Sequence, residues 1–335
     1  MGVNSPVEHL FTTLNKTAEI LQEELLCSYL DAIAETGENL FHETILQDEV
    51  SELTKKRLEK EYNLIKMDKF SNEEIRKAFQ LLILKGMKNS SQPNHQMTPD
   101  TVGLFISYLI TKLMEKKTSF TILDPAIGSG NLLTTILNQN SNKEITGFGV
   151  DIDDLLLKLA YVSANLQQHS IQLFNQDSLE QLFIEPVDLV VSDLPVGYYP
   201  NDIGAEKFEL RAEKGHSYSH HLFIEQSMKQ VKEGGYLLFL IPNTLFNTEQ
   251  AVKLNQYIKE NSYIQGLIQL PISLFASESA AKSIFILQKK GTDVTPPKQA
   301  LLVDLPKFSN KVAMNDIIER INEWFKAEKS ESSPV

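Results

Sequence analysis

Residues 119–130 read Ser-Phe-Thr-Ile-Leu-Asp-Pro-Ala-Ile-Gly-Ser-Gly, a β-branched apolar run that ends in Asp124 and breaks into a glycine-bearing turn. Asn131-Leu132-Leu133 then opens an apolar helix. Strand, tight loop and helix in that order put the loop at the carboxyl end of a strand, where open parallel sheets bind their ligands. Gly128 and Gly130 let the backbone take positive φ and come close to a ligand. A second strand, Thr146-Gly147-Phe148-Gly149-Val150-Asp151, also ends in an acid, and Asp177-Ser178 follows a third. The loop holds two acids nearby and no lysine, which argues against a phosphate cradle. It suits a ligand that offers hydroxyls and a positive charge, because a carboxylate accepts hydroxyl donors well.

These acids need a parallel sheet to hold them. From residue 120 onward the chain alternates between β-branched runs and amphipathic stretches. Strands are predicted at 120–124, 146–151, 171–174, 188–192, 236–241, 264–270 and 283–288, with helices at 131–138, 154–168, 219–231 and 248–259. Such alternation gives an α/β fold with a mostly parallel sheet covered on both faces. The last two strands have no long helix between them, so they form a hairpin and leave one antiparallel edge strand; 300–303 adds a short strand. Lys232-Glu233-Gly234-Gly235 reads as a glycine helix cap before a strand.

Residues 1–92 read as a helical domain. Val7, Leu10, Phe11, Leu14, Ile20, Leu21, Leu25 and Leu26 recur near helical spacing, which is a core stripe. Further helical stretches are predicted at 39–50, 53–60 and 72–84, the last opened by Ser71 with acids in its first turn. A polar, proline-bearing linker at 88–95 precedes a second domain at 93–310. There Thr98 reads as N-cap and Pro99 as the first helical residue of an apolar helix at 102–114. A terminal helix and frayed tail fill 311–335.

The chain has 335 residues, 42% of them hydrophobic and 23% charged, as in an ordinary soluble protein. It has no membrane-length apolar run and no signal pattern, so a cytoplasmic location is expected. Cys27 is the sole cysteine, which excludes an internal disulfide and a cysteine-based zinc cluster. His220-His221 has no acid cluster beside it, so no metal is expected. A formal net charge of −12 opposes non-specific binding of nucleic acid but leaves room for a local basic face. Lys207, Arg211 and Lys214 form one modest cationic loop, diluted by Asp202, Glu206, Glu209 and Glu213.

The Asp-Pro-Ala-x-Gly-Ser-Gly turn, with the ordered acids Asp151 and Asp177, resembles the Rossmann-like sheet of class I S-adenosylmethionine-dependent methyltransferases. Gln96-Met97-Thr98-Pro99, Asp193-Leu194-Pro195 after the fourth strand, Ile241-Pro242-Asn243 and Ile268-Gln269-Leu270-Pro271 narrow the resemblance to N6-adenine DNA methylases. It is similar to the methylation subunits of type I restriction–modification systems, and among them to small bacterial YtxK-like proteins. The match runs over about residues 70–305.

The resemblance implies S-adenosylmethionine as cofactor. It implies that Asp151 holds the ribose and Ile152 the adenine face, while Asp177, with Ser178, meets the adenine amino group. Asp124, Pro125, Ala126, Gly128, Gly130 and Asn131, together with Thr98, take the methionyl end. Asp193 and the Leu194 carbonyl, fixed by Pro195, accept the target amino group. Val196 stands where the family has Tyr or Phe, and Tyr198 is the candidate replacement. DNA is the implied partner, and the helical N-terminal domain could carry a protein partner. A non-catalytic S-adenosylmethionine-binding module remains the alternative, as does methyl transfer to RNA or to a protein glutamine.

Overall fold

The computed structural model describes residues 5–89 and 97–329. In chain order the elements are α1 (Pro6–Leu25), α2 (Tyr29–Phe41), α3 (Glu52–Tyr62), α4 (Asn72–Asn89), α5 (Asp100–Leu113), β1 (Ser119–Asp124), α6 (Asn131–Gln139) and β2 (Glu144–Asp151). They continue with α7 (Asp154–Leu166), β3 (Ile171–Asn175), β4 (Val187–Asp193), α8 (Asp202–Ala205), α9 (Ser219–Gln230), β5 (Val231–Pro242), α10 (Ala251–Asn261) and β6 (Ser262–Gln269). The last are β7 (Lys282–Lys289), β8 (Leu301–Asp304) and α11 (Lys311–Lys329). Most of the expected linker, and Gln96 with it, falls at 90–96, outside the described residues, as does the tail at 330–335.

The strands form the expected mostly parallel sheet, in the order β3-β2-β1-β4-β5-β7-β6-β8. Only its antiparallel member is placed differently from expectation. β7 runs antiparallel to both β5 and β6 and lies between them, whereas β8, parallel to β6, forms the edge. The reason is burial. Ser283 to Leu287 are all buried, as suits an interior strand, whereas β8 alternates buried and exposed residues.

The chain divides into two compact units. The first comprises Met1–Thr98, Ile127–Asn142 and Gly147–Gln176, so the amino-terminal helices share it with α6 and α7. Its core joins Leu10, Leu14, Leu21, Ile33 and Phe79 to Leu159 and Val162 of α7. Serines start three of the helices: the hydroxyls of Ser5, Ser28 and Ser51 accept from the amides of Glu8, Asp31 and Thr54. Ser71 and Glu74 exchange bonds as a capping box at α4.

Two helical expectations fail here. The stretch at 39–50 is not a helix beyond Phe41, because Asn39 ends α2 from within. Its Oδ1 accepts from the Leu46 amide at 2.9 Å and its backbone oxygen from Thr44 at 3.1 Å, while Glu43 turns left-handed at φ 54°. Leu26 leaves the core stripe as the left-handed, exposed cap of α1.

The second unit comprises Pro99–Ala126, Lys143–Thr146 and Asp177–Val335. Pro99, not Thr98, is the N-cap of α5, so the helix starts one residue later than expected. No side-chain cap bond is made there, and the Pro99 carbonyl accepts from Val102 and Gly103. The Gly234-Gly235 pair is not a helix cap. Val231 already pairs with Val187, and the register shifts before Leu189 pairs with Tyr236. Gly234, at φ 73°, therefore marks an irregularity inside β5. No helix among the described residues is long and apolar enough to cross a membrane.

Asp188 knits the base of this unit. Its carboxylate accepts from the Thr121 amide and hydroxyl, both at 2.9 Å, and pairs with Lys117 at 2.5 Å and Lys232 at 3.1 Å. Burial alone would raise its pKa, but these partners hold the carboxyl well below the ordinary carboxylate range. A carboxyl depressed on folding stabilises fully above its unfolded pKa, near 4, and loses that contribution as pH falls towards its folded value. Asp188→Asn should cost about 2 kcal/mol at pH 7. The gap in melting temperature between parent and variant should close as the pH is lowered from 5 to 2; a constant gap would refute the assignment.

Candidate active site

In the first unit, β2 ends in Asp151 and the glycine turn leads into α6. The Asp151 carboxylate accepts from the Gly128 amide at 2.8 Å and the Asp153 amide at 3.0 Å. Burial raises its pKa, and those two amides oppose the rise. The turn itself is held by the Ile127 amide bonding to the Val150 carbonyl. Gly128 takes φ 54°, and a Cβ built there would meet nothing within 4 Å, so its backbone faces open space. Gly130 caps α6 at φ 77°. Ile152, the next residue after Asp151, is 72% exposed, an apolar side chain set out at a strand end. Asn131 is buried, its Oδ1 accepting from Arg76 at 2.8 Å and its amide nitrogen lying 3.5 Å from the Thr98 carbonyl.

In the second unit, Asp124 is buried at the end of β1. Its Oδ1 accepts from the Ala126 amide at 3.1 Å and the Ser192 hydroxyl at 2.8 Å. Ser178 donates its hydroxyl to the Pro125 carbonyl and so pins the same loop. Asp177 caps its own turn through the Leu179 amide at 2.9 Å and accepts the Tyr199 hydroxyl at 2.5 Å. Burial and the adjacent carboxylate raise the Tyr199 phenol. Sequence reading singled out Tyr198; its neighbour Tyr199 is the buried one and backs Asp177.

β4 delivers Asp193, with Leu194 buried behind it and Val196 56% exposed after Pro195. Gly197 and Tyr199 bond through their backbones to Ser219 and Ser217, which fixes the loop against the start of α9. Tyr198 is 60% exposed and stacks on Tyr218, centroids 4.9 Å apart and planes 18° from parallel. His220 and His221 lie beneath Tyr218 and are buried; burial lowers their pKa values to about 4 and about 3, so both are neutral near pH 7. The cationic loop is partly committed elsewhere, with Lys207 paired to Glu180 at 2.7 Å and Arg211 donating to the Glu206 carbonyl. Lys282, at the start of β7, donates to the Asp193 Oδ1, a contact no sequence signal announced.

Residues 88–333 match the model of the N-6 DNA methylase family, and residues 8–87 match the YtxK N-terminal helical domain. The uncharacterized protein YtxK of Bacillus subtilis (strain 168) is 53% identical over 96% of this chain and 98% of its own length. A Listeria monocytogenes structure assigned to the class I S-adenosylmethionine-dependent methyltransferases superposes with a TM-score of 0.90. It is 48% identical, over 96% of this chain and all of that one. The type I restriction enzyme MpnII methylase subunit of Mycoplasma pneumoniae is 22% identical over 81% of this chain and 54% of its own length. The implied cofactor is S-adenosylmethionine, and the site fits it: an acid at a strand end for hydroxyls, an exposed apolar side chain beside it for a flat ring, and open space at the Gly128 backbone. The chain belongs to the N-6 DNA methylase family, carrying a YtxK-type helical domain at its amino end.

Proposed function

We propose that the chain transfers a methyl group to a nitrogen, with adenine N6 in DNA as the acceptor. The observation that carries this reading is an acceptor and a stacking face in one loop: Asp193 ends β4, and the exposed Tyr198, stacked on Tyr218, follows in the same turn. A ring-conjugated amino group is a poor nucleophile, since its lone pair is delocalised. Hydrogen bonds from that group to the Asp193 carboxylate and the Leu194 carbonyl return density to nitrogen and aim its lone pair. Pro195 stiffens the turn that presents both acceptors.

S-adenosylmethionine supplies a methyl carbon bound to a positively charged sulfur. In this reading Asp151 takes the ribose hydroxyls and Ile152 lies against the adenine. Asp177, backed by Tyr199, accepts from the adenine amino group. Asp124 and the turn from Pro125 to Asn131, together with Thr98, take the methionyl end. The Mycoplasma relative is a methylase subunit of a restriction enzyme, which supports DNA as substrate and a further protein chain as partner here too.

Tritiated S-adenosylmethionine offered with single-stranded DNA, RNA and cell protein extract tests the reading. Label should enter adenine in DNA. Tyr198→Ala should cut it roughly tenfold at unchanged cofactor affinity, because a stacked aromatic contributes about 1–3 kcal/mol per base. Label confined to protein would end the adenine reading in favour of glutamine. Exposed Val196 favours a second reading, a cofactor-binding module without transfer. Its signature is tight cofactor binding with label appearing only in Val196→Tyr.

A further inference from the structure

The proposed acceptor is already engaged. Lys282 stands at the start of β7, in register with Pro242 at the end of β5, while Asp193 sits opposite Leu240 of that same strand. Both side chains are about four-fifths shielded from solvent, and the Lys282 ammonium donates to the Asp193 Oδ1. We propose that Lys282 is a built-in competitor for the target nitrogen: it holds Asp193 until a substrate amino group displaces it, and so determines which amines the site accepts. The proposal rests on Asp193 being the acceptor for that amino group.

Two effects work in the same direction. An ammonium is a charge-assisted donor, stronger than a neutral amino group at the same carboxylate oxygen. Its charge also opposes the reaction. As the nitrogen lone pair forms the new N–C bond and the C–S electrons return to sulfur, the nitrogen becomes cationic until its proton leaves to water. A fixed cation at Asp193 raises the energy of that charge, and a bare carboxylate lowers it. Valine in place of an aromatic residue weakens stacking; the lysine acts on the nitrogen itself.

The competition can be read without turnover. The protein, saturated with S-adenosylhomocysteine so that the cofactor site is filled, is titrated with adenosine by calorimetry. Lys282→Met should bind adenosine at least tenfold more tightly than the parent. Lys282→Arg should behave like the parent, and Asp193→Ala/Lys282→Met should lose the gain, because the gain passes through Asp193. Equal affinity in parent and Lys282→Met, undetectable binding in both included, overturns the proposal. So does a gain that survives removal of Asp193. Melting temperature and S-adenosylhomocysteine affinity certify each variant as folded, and Lys282→Gln replaces Lys282→Met if the latter fails that check.

The same variants, assayed for methyl transfer to oligonucleotides, separate this proposal from the reading beneath it. A gain in adenosine affinity with no label in any nucleic acid keeps the lysine and removes adenine transfer. Equal affinities with label in DNA remove the lysine and keep the transfer.

Discussion

Asp151→Ala is expected to lose S-adenosylmethionine affinity by roughly a hundredfold. A charged acceptor contributes about 1.5–3 kcal/mol per hydrogen bond, and 1.4 kcal/mol is tenfold. Two ribose hydroxyls on one carboxylate therefore amount to about 3 kcal/mol or more. Stability should respond differently. Burial raises the Asp151 carboxyl, so the folded protein holds that charge at a cost, partly offset by the amides of Gly128 and Asp153. A carboxyl raised on folding contributes stability at low pH that is lost as pH rises through its folded pKa. Asp151→Asn, which keeps one acceptor and removes the charge, should leave the melting temperature at pH 8 unchanged or higher while affinity falls. Calorimetric titration and thermal melting of parent, Ala and Asn variants give both quantities. Undiminished affinity in the Ala variant would remove Asp151 from the cofactor site.

Arg76→Met is expected to be the most destabilising single change. The Arg76 side chain is only 1% exposed. Its guanidinium forks onto Glu73 at 2.7 and 2.8 Å and reaches Asn131 at 2.8 Å. Removing one partner of a buried pair costs about 3–5 kcal/mol. Glu73 is 27% exposed and keeps Lys77 at 3.5 Å, so the expected cost lies at the lower end, about 3 kcal/mol. The change also strips a buried amide oxygen of its donor. Asn131 is the first residue of α6, immediately after the glycine turn, so cofactor affinity should fall as well. Arg76→Met/Glu73→Gln should recover part of the stability and none of the affinity. Denaturant unfolding decides; a loss below 1 kcal/mol would show that α6 does not need the arginine.

Much of the sheet was legible because each strand is an apolar run of strand length, and its end is marked by an acid or a turn. Asp124, Asp151 and Asp193 each sit at a strand end, as read from sequence. What those acids bond to was not legible. Tyr199 on Asp177 and Lys282 on Asp193 join residues far apart in the chain, and a lone tyrosine or lysine gives no periodic signal. Glu73 and Arg76 have the spacing of an ordinary surface pair, and only packing shows the arginine buried. The break after α2 was hidden for another reason. Apolar spacing continues past Phe41, but the Asn39 side chain accepts the Leu46 amide and its carbonyl the Thr44 amide, and the helix stops. The inward placement of β7 is hidden in the sequence because a hairpin commonly closes an edge, whereas the unbroken apolar run of β7 fits an interior strand.

The position of β7 also affects how the chain is made. β5 cannot be paired on its far side until α10, β6 and the hairpin return have all been synthesised. Ribosomes add roughly 5–20 residues per second, so the fully apolar stretch from Leu237 to Ile241 waits several seconds with one row of amides and carbonyls open. Such an edge can accept a strand from a neighbouring nascent chain. A pause or truncation between Pro242 and Lys289 would thus produce an aggregation-prone species, and chaperone demand should peak within that window of synthesis.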